Sequence, residues 1–131
     1  MKTTRLKIIA AVGWICILSL TCGALPARAG GKVQNGEDVF AQECAECHSV
    51  REGKNKKGPS LFAVLNRKAA SIKDFSYSDS LAQSGLVWSE AALDAYIANP
   101  RKSVPGGKMK YDGLSDASGR ADLIAYLASL K

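Results

Sequence analysis

Histidine is almost missing from this chain: His48 is the only one in 131 residues. Methionine is nearly as scarce, with Met1 and Met109 alone, and the four cysteines are Cys16, Cys22, Cys44 and Cys47. These shortages exclude whole classes of chemistry. A structural zinc site takes four cysteine or histidine ligands, usually in two separated pairs. Beyond residue 29 only Cys44, Cys47 and His48 are on offer, and adjacent Cys47 and His48 are badly placed to reach one tetrahedral ion. A thioredoxin-type dithiol belongs beside a βαβ pattern, and no stretch here reads as a convincing strand. Internal repeats, low-complexity segments and interdomain linkers are also missing, so the length allows one domain at most.

A long apolar run occurs only once. Lys2, Arg5 and Lys7 precede an almost unbroken apolar stretch from Ile8 to Leu20, and Ala27-Arg28-Ala29 follows. That order predicts a signal peptide over residues 1–29, cleaved before Gly30, export to the periplasm, and a domain over 30–131. The competing reading is an uncleaved anchor, because the run extended to Leu25 reaches the ~17–20 residues of a marginal membrane span. Cys22 invites a lipoprotein reading, which Ser19-Leu20-Thr21 supports poorly. Removing the leader takes four of the 18 basic residues and none of the 12 acidic ones, so net charge falls from +6 to +2. Nucleic-acid binding thereby loses its main support.

Along the remaining 102 residues, Asn35 is placed to cap a first helix with Glu37 and Asp38 in its first turn. Val39, Phe40, Cys44 and Cys47 follow at helical spacing. Residues 51–60, "REGKNKKGPS", form a basic loop. Ser89 caps the next helix, with Trp88 and Leu93 at the positions of a hydrophobic staple, and Asn99-Pro100 ends it. "RKSVPGGKMKYDG" reads as loop, and a last helix is expected from about Ser118 to Leu130. The domain is therefore all-α, with three helices joined by long loops. Loops of that length in so small a domain call for something to pack around, and a planar cofactor would also enlarge a modest core.

"CAECH", residues 44–48, supplies that cofactor. Two thiols two residues apart can each add to one vinyl group of a haem, and the histidine that follows at once can reach the iron. On this reading Cys44 and Cys47 are covalent tethers to one haem c and His48 is the proximal ligand. A second histidine ligand is excluded. Methionine is the common alternative in electron-transfer haems, and Met109 is the one left beyond the leader. It could instead fill a gap in the core, but it stands between Lys108 and Lys110 on a proline–glycine loop rather than among apolar neighbours.

With "KKGPSL", "NRKA", "FSYSD", "VWSEAALDAYIANPRKSVPGGKMKY" and "GRADLIAYL", the chain resembles the class I c-type cytochromes, in the branch of bacterial cytochrome c2 and mitochondrial cytochrome c. The resemblance implies that N- and C-terminal helices cross around one covalently bound haem, Gly36 and Phe40 meeting Leu123 and Tyr126. It implies that the Pro59 carbonyl accepts the second ring N–H of His48. Arg67, Tyr77 and Trp88 should surround a haem propionate, and Tyr96 and Asn99 should lie near the Met109 side. Departures stand at Val64 and Asn66, where the family usually has glycines, and at Glu43, often a basic residue.

The function implied is a soluble, monomeric one-electron carrier of a respiratory chain, not an enzyme. An iron filled on both axial sides leaves no open position, and no distal histidine is available for a haem enzyme. Expected partners are redox proteins such as a quinol–cytochrome c oxidoreductase, a terminal oxidase, a photosynthetic reaction centre or a periplasmic dehydrogenase, with no nucleic acid. The membrane enters only through such partners or an uncleaved anchor, which would make the chain a haem subunit of a membrane complex. Lys54, Lys56, Lys57, Lys68, Arg101, Lys102, Lys108 and Lys110 are candidates for steering an acidic partner, with Arg101, Lys102 and Lys108 foremost.

Overall fold

The computed structural model describes residues 31–131; the leader, its cleavage site and its anchor alternative lie outside them. Five helical segments follow in order: α1 (Val33–Glu43), α2 (Asp79–Ala82), α3 (Glu90–Ala98), α4 (Pro100–Ser103) and α5 (Ala117–Ser129). Among the described residues there is no strand, only an isolated antiparallel bridge between Lys68 and Val87. The all-α expectation holds.

α1 and α5, from opposite ends of the domain, form the most extensive helix pair. Gly36 permits the close approach: a Cβ there would overlap the Asp122 carbonyl and sit 2.7 Å from the Tyr126 Cβ. One turn on, the Phe40 and Tyr126 rings lie 5.8 Å apart, tilted by 48°, a favourable offset for aromatic quadrupoles. Leu123, 1 % exposed, is the most deeply buried large side chain, and with Leu127, Ile124, Leu93, Trp88 and Val64 it joins this contact to one core.

Helix starts show where local reading succeeds. Ser89 caps α3, its hydroxyl accepting the Ala92 N–H at 3.2 Å. The Asp116 carboxylate accepts the N–H groups of Ser118 and Gly119, each at 3.0 Å, so α5 begins one residue before the expected position. Arg120 then anchors α5: its Nε donates to Asp94 of α3 at 2.7 Å and its Nη1 to the carbonyls of Leu114 and Ser115.

Three expectations need correction. Asn35 does not cap α1, which starts three residues earlier than such a cap would place it, with Lys32 in the cap position. The acceptor comes from α5 instead: Asp122 takes the Lys32 N–H at 2.6 Å and the Asn35 side-chain N–H at 3.1 Å. Second, the stretch after Asn99 is not all loop, because Asn99 accepts the Lys102 N–H at 3.0 Å and Pro100 opens α4, where its missing N–H costs nothing. Third, α2 forms a single turn, capped by the Ser78 hydroxyl, too short to leave a periodic signal.

The departure at Asn66 is absorbed by the residue type. Its φ is 61°, in the left-handed region that asparagine tolerates better than most residues. Its N–H donates to the Trp88 carbonyl at 2.9 Å, and the Trp88 N–H donates to the Arg67 carbonyl at 2.9 Å. This short pairing fixes Arg67 beside Trp88.

Candidate haem site

The attachment segment is wound by its own backbone. Beyond α1 the Cys44 N–H donates to the Phe40 carbonyl at 2.9 Å, and the Cys44 carbonyl receives the N–H groups of Cys47 and His48 at 3.1 and 2.8 Å. Cys44, Cys47 and His48 consequently face a single cavity of about 560 Å³, within the roughly 300–1,000 Å³ of small-molecule sites. Leu61, Val64, Leu93, Ile97, Leu123 and Leu127 give it apolar walls.

The two thiols are half-buried and not joined as a disulfide. Burial first, then the neighbouring Glu43 and Cys47, push the Cys44 thiol up to about 11. A thiol neutral at pH 7 is a poor redox nucleophile, which weighs against the dithiol reading.

His48 is held by the loop that follows it. Its Nδ1 lies 2.8 Å from the Pro59 carbonyl; a carbonyl only accepts, so Nδ1 carries the proton and Nε2 keeps a free lone pair. Burial holds the imidazole below its ordinary pKa, with the Pro59 hydrogen bond opposing. It is a neutral ring suited to bind a metal. Gly58 makes room: a Cβ there would stand 2.7 Å from Nδ1 and 2.9 Å from Nε2.

The loop is locked by side chains that sequence reading passed over. Ser60, 2 % exposed, donates its hydroxyl to the Arg51 carbonyl at 2.6 Å and accepts the Phe62 N–H at 3.2 Å. Asn55 accepts the Ser60 N–H at 2.9 Å, and the buried Ser49 accepts the Arg51 N–H at 3.0 Å. The available signal was a pair of small hydroxyls, Ser49 and Ser60, bracketing the charged run from Arg51 to Lys57.

Pro59, Arg67, Tyr77, Trp88, Tyr96 and Met109 all line the same cavity. Arg67 donates to the carbonyls of Phe62 and Ser60 at 2.6 and 2.8 Å, leaving three of its five N–H donors for an anion. Trp88 is buried, with its ring 4.9 Å from that of Tyr96, and burial raises the phenol pKa of both Tyr77 and Tyr96. Asn99 is the residue not brought to the wall: it is exposed, and its side chain is committed to capping α4. Met109 is half-buried on a loop tied back by Lys108, whose Nζ donates to the Tyr77 carbonyl at 3.0 Å.

Several of the steering candidates are already engaged. Arg101 pairs with Asp112 at 3.2 Å, Lys57 pairs with Glu46 at 2.6 Å, and Lys56 donates to the Ala45 carbonyl. Lys54, Lys68, Lys102 and Lys110 form no ion pair among the described residues.

An apolar cavity with two thiols at one edge, a neutral imidazole aimed by a carbonyl, and a thioether on a tethered loop fits a haem. Fold and site define a monohaem electron carrier. The family model described as Cytochrome c matches residues 33–131. Cytochrome c2 from Rhodoblastus acidophilus is 45% identical over 102 residues, covering 77% of this chain and 94% of that protein. Cytochrome c from Gibberella zeae is 44% identical over 100 residues, covering 76% and 94%. Among solved structures, cytochrome cH from Methylobacterium extorquens superposes with a TM-score of 0.69 at 42% identity, covering 74% of this chain and 97% of that one. The chain belongs to the cytochrome c family, whose members carry electrons between redox proteins, are not enzymes, and bind haem c covalently.

Proposed function

We propose that this chain is a soluble periplasmic carrier of single electrons, with its haem tethered at Cys44 and Cys47 and ligated by His48 and Met109. The observation that carries this reading is the His48–Pro59 hydrogen bond at 2.8 Å within the cavity that both thiols and Met109 also line. When bound, haem c supplies an iron that changes by one electron between its ferrous and ferric forms.

The protein's residues set the conditions. By accepting the Nδ1 proton, Pro59 fixes the ring orientation and strengthens Nε2 as a donor. The Met109 thioether favours reduced iron and raises the potential. Two protein ligands leave no position for substrate, so the same pair that tunes the potential excludes an enzyme. Leu123, Leu127 and Trp88 keep water from the site, a further control on potential. The remaining Arg67 donors suit a propionate.

Export is supported by the leader pattern over residues 1–29. Among the described residues no helix is long and apolar enough to cross a membrane. The partners that suit such a carrier are a quinol–cytochrome c oxidoreductase, a terminal oxidase, a reaction centre or a dehydrogenase.

The test is Met109→Ala in purified holoprotein. The reduction potential is expected to fall, and the weak red-edge band of methionine–ferric haem to disappear. An unchanged potential and spectrum would remove Met109 from the iron.

A further inference from the structure

We infer that Glu43 and Tyr111 are positioning residues for the Met109 ligand, an inference that rests on the Met109 ligation proposed above. The Tyr111 hydroxyl donates to the Glu43 carboxylate at 2.7 Å across 68 residues of sequence. Glu43 is the last residue of α1, immediately before Cys44, and Tyr111 stands two residues after Met109. Both line the cavity. Among the described residues this is the one side-chain hydrogen bond that ties the Met109 loop to the attachment segment. Lys108 secures the other flank of Met109, but to Tyr77.

Glu43 has no local reason to be acidic. A carboxylate in the last turn of a helix opposes the macrodipole, and α1 carries no basic residue there to offset it. A local cost of this kind points to a compensating contact elsewhere, and the Tyr111 hydroxyl is that contact. A hydrogen bond to an ionised acceptor is stronger than one between neutral groups. Its loss should leave the fold standing while the Met109 loop opens more often.

Imidazole added to ferric holoprotein competes for the methionine's position and reports that opening. Tyr111→Phe keeps the ring and removes the bond, so imidazole should bind roughly fivefold tighter, with the reduction potential moving down. Glu43→Leu should match it. Glu43→Gln, whose amide oxygen still accepts, should stay within about twofold of wild type. The double variant Glu43→Leu/Tyr111→Phe should exceed neither single, since both remove one bond. The inference is overturned if Tyr111→Phe binds imidazole as wild type does, or if the two single effects multiply in the double variant. If the wild-type red-edge band is absent or survives Met109→Ala, the ligation and the inference both fall. If that band behaves as expected and Tyr111→Phe changes nothing, the inference alone falls.

Discussion

The two sides of the haem site are held in place by different physics. On the His48 side, residues 49–61 are fastened by buried serines and backbone bonds: Ser60 to Arg51, Leu61 to Ser49 at 2.8 Å, and Gly58 to Cys47 at 2.8 Å. On the Met109 side, residues 104–112 rest mainly on exposed groups, with Val104 the one deeply buried side chain. Lys108 to Tyr77, Tyr111 to Glu43 and Arg101 to Asp112 all lie at the surface. Buried hydrogen bonds are costly to leave unpaired, whereas water can replace a lost surface hydrogen bond, and an exposed ion pair such as Arg101–Asp112 contributes ~0–1 kcal/mol. The histidine therefore belongs to the rigid core of the site, and the methionine to its low-stability part.

The strongest way to break this contrast is Gly58→Val. Its side chain would occupy the imidazole's space, and overpacking of this kind costs about 3 kcal/mol or more where nothing can yield. Holoprotein yield should collapse, and any recovered protein should unfold at much lower denaturant. A normal yield and midpoint would mean that the His48 loop is pliable.

Next comes a matched pair. Ser60→Ala removes both hydrogen bonds of a buried hydroxyl, to the Arg51 carbonyl and from the Phe62 N–H, and should cost about 1–3 kcal/mol of global stability, measured by urea unfolding of holoprotein. Lys108→Ala removes an exposed bond and should cost under about 1 kcal/mol globally, while still sensitising the methionine band to denaturant. Equal global losses would erase the distinction between the two loops.

How much of this was legible depends on how far apart in sequence each contact lies. Cys44, Cys47 and His48 are contiguous, and Ser89 lies within one turn of the N–H it caps, so composition and spacing expose them. Asp122 reaches α1 from 87 residues away, so Asn35 looked like the cap. The Tyr111–Glu43 bond spans 68 residues; Glu43 showed only as an odd charge. Asn99-Pro100 carries two signals at once, the end of α3 and, as a cap followed by proline at the first helical position, the start of α4, and the first masks the second. That second use keeps Asn99 from the cavity.

A smaller effect concerns acid. The Asp122 carboxyl is held below its ordinary value of 3.8, first by the Lys32 N–H and then by the Asn35 side chain. A depressed folded pKa contributes stability that is present above the unfolded value and lost as pH falls through the folded one. The stability gap between wild type and Asp122→Ala should therefore be full above about pH 4 and narrow below it, as read by urea midpoints. A gap constant into strong acid would mean that the charge contributes nothing.

The smallest effect concerns docking. Among the described residues Asp112 neutralises Arg101, Lys108 is held by the neutral Tyr77 carbonyl, and the Lys102 ammonium has neither kind of partner. Lys102→Glu should slow electron transfer with an acidic partner and flatten its salt dependence, an effect that screening over ~8 Å limits. An unchanged rate and slope would leave these lysines as solvated surface.

The most direct measurement follows ferric holoprotein through a urea titration, recording the red-edge methionine band and far-ultraviolet helicity on one sample. The band should be present in wild type, absent in Met109→Ala, and lost at lower urea than the helices while the haem stays attached. A band indifferent to Met109→Ala, or one that vanishes only together with the helices, would contradict a methionine held by surface contacts opposite a histidine built into the core.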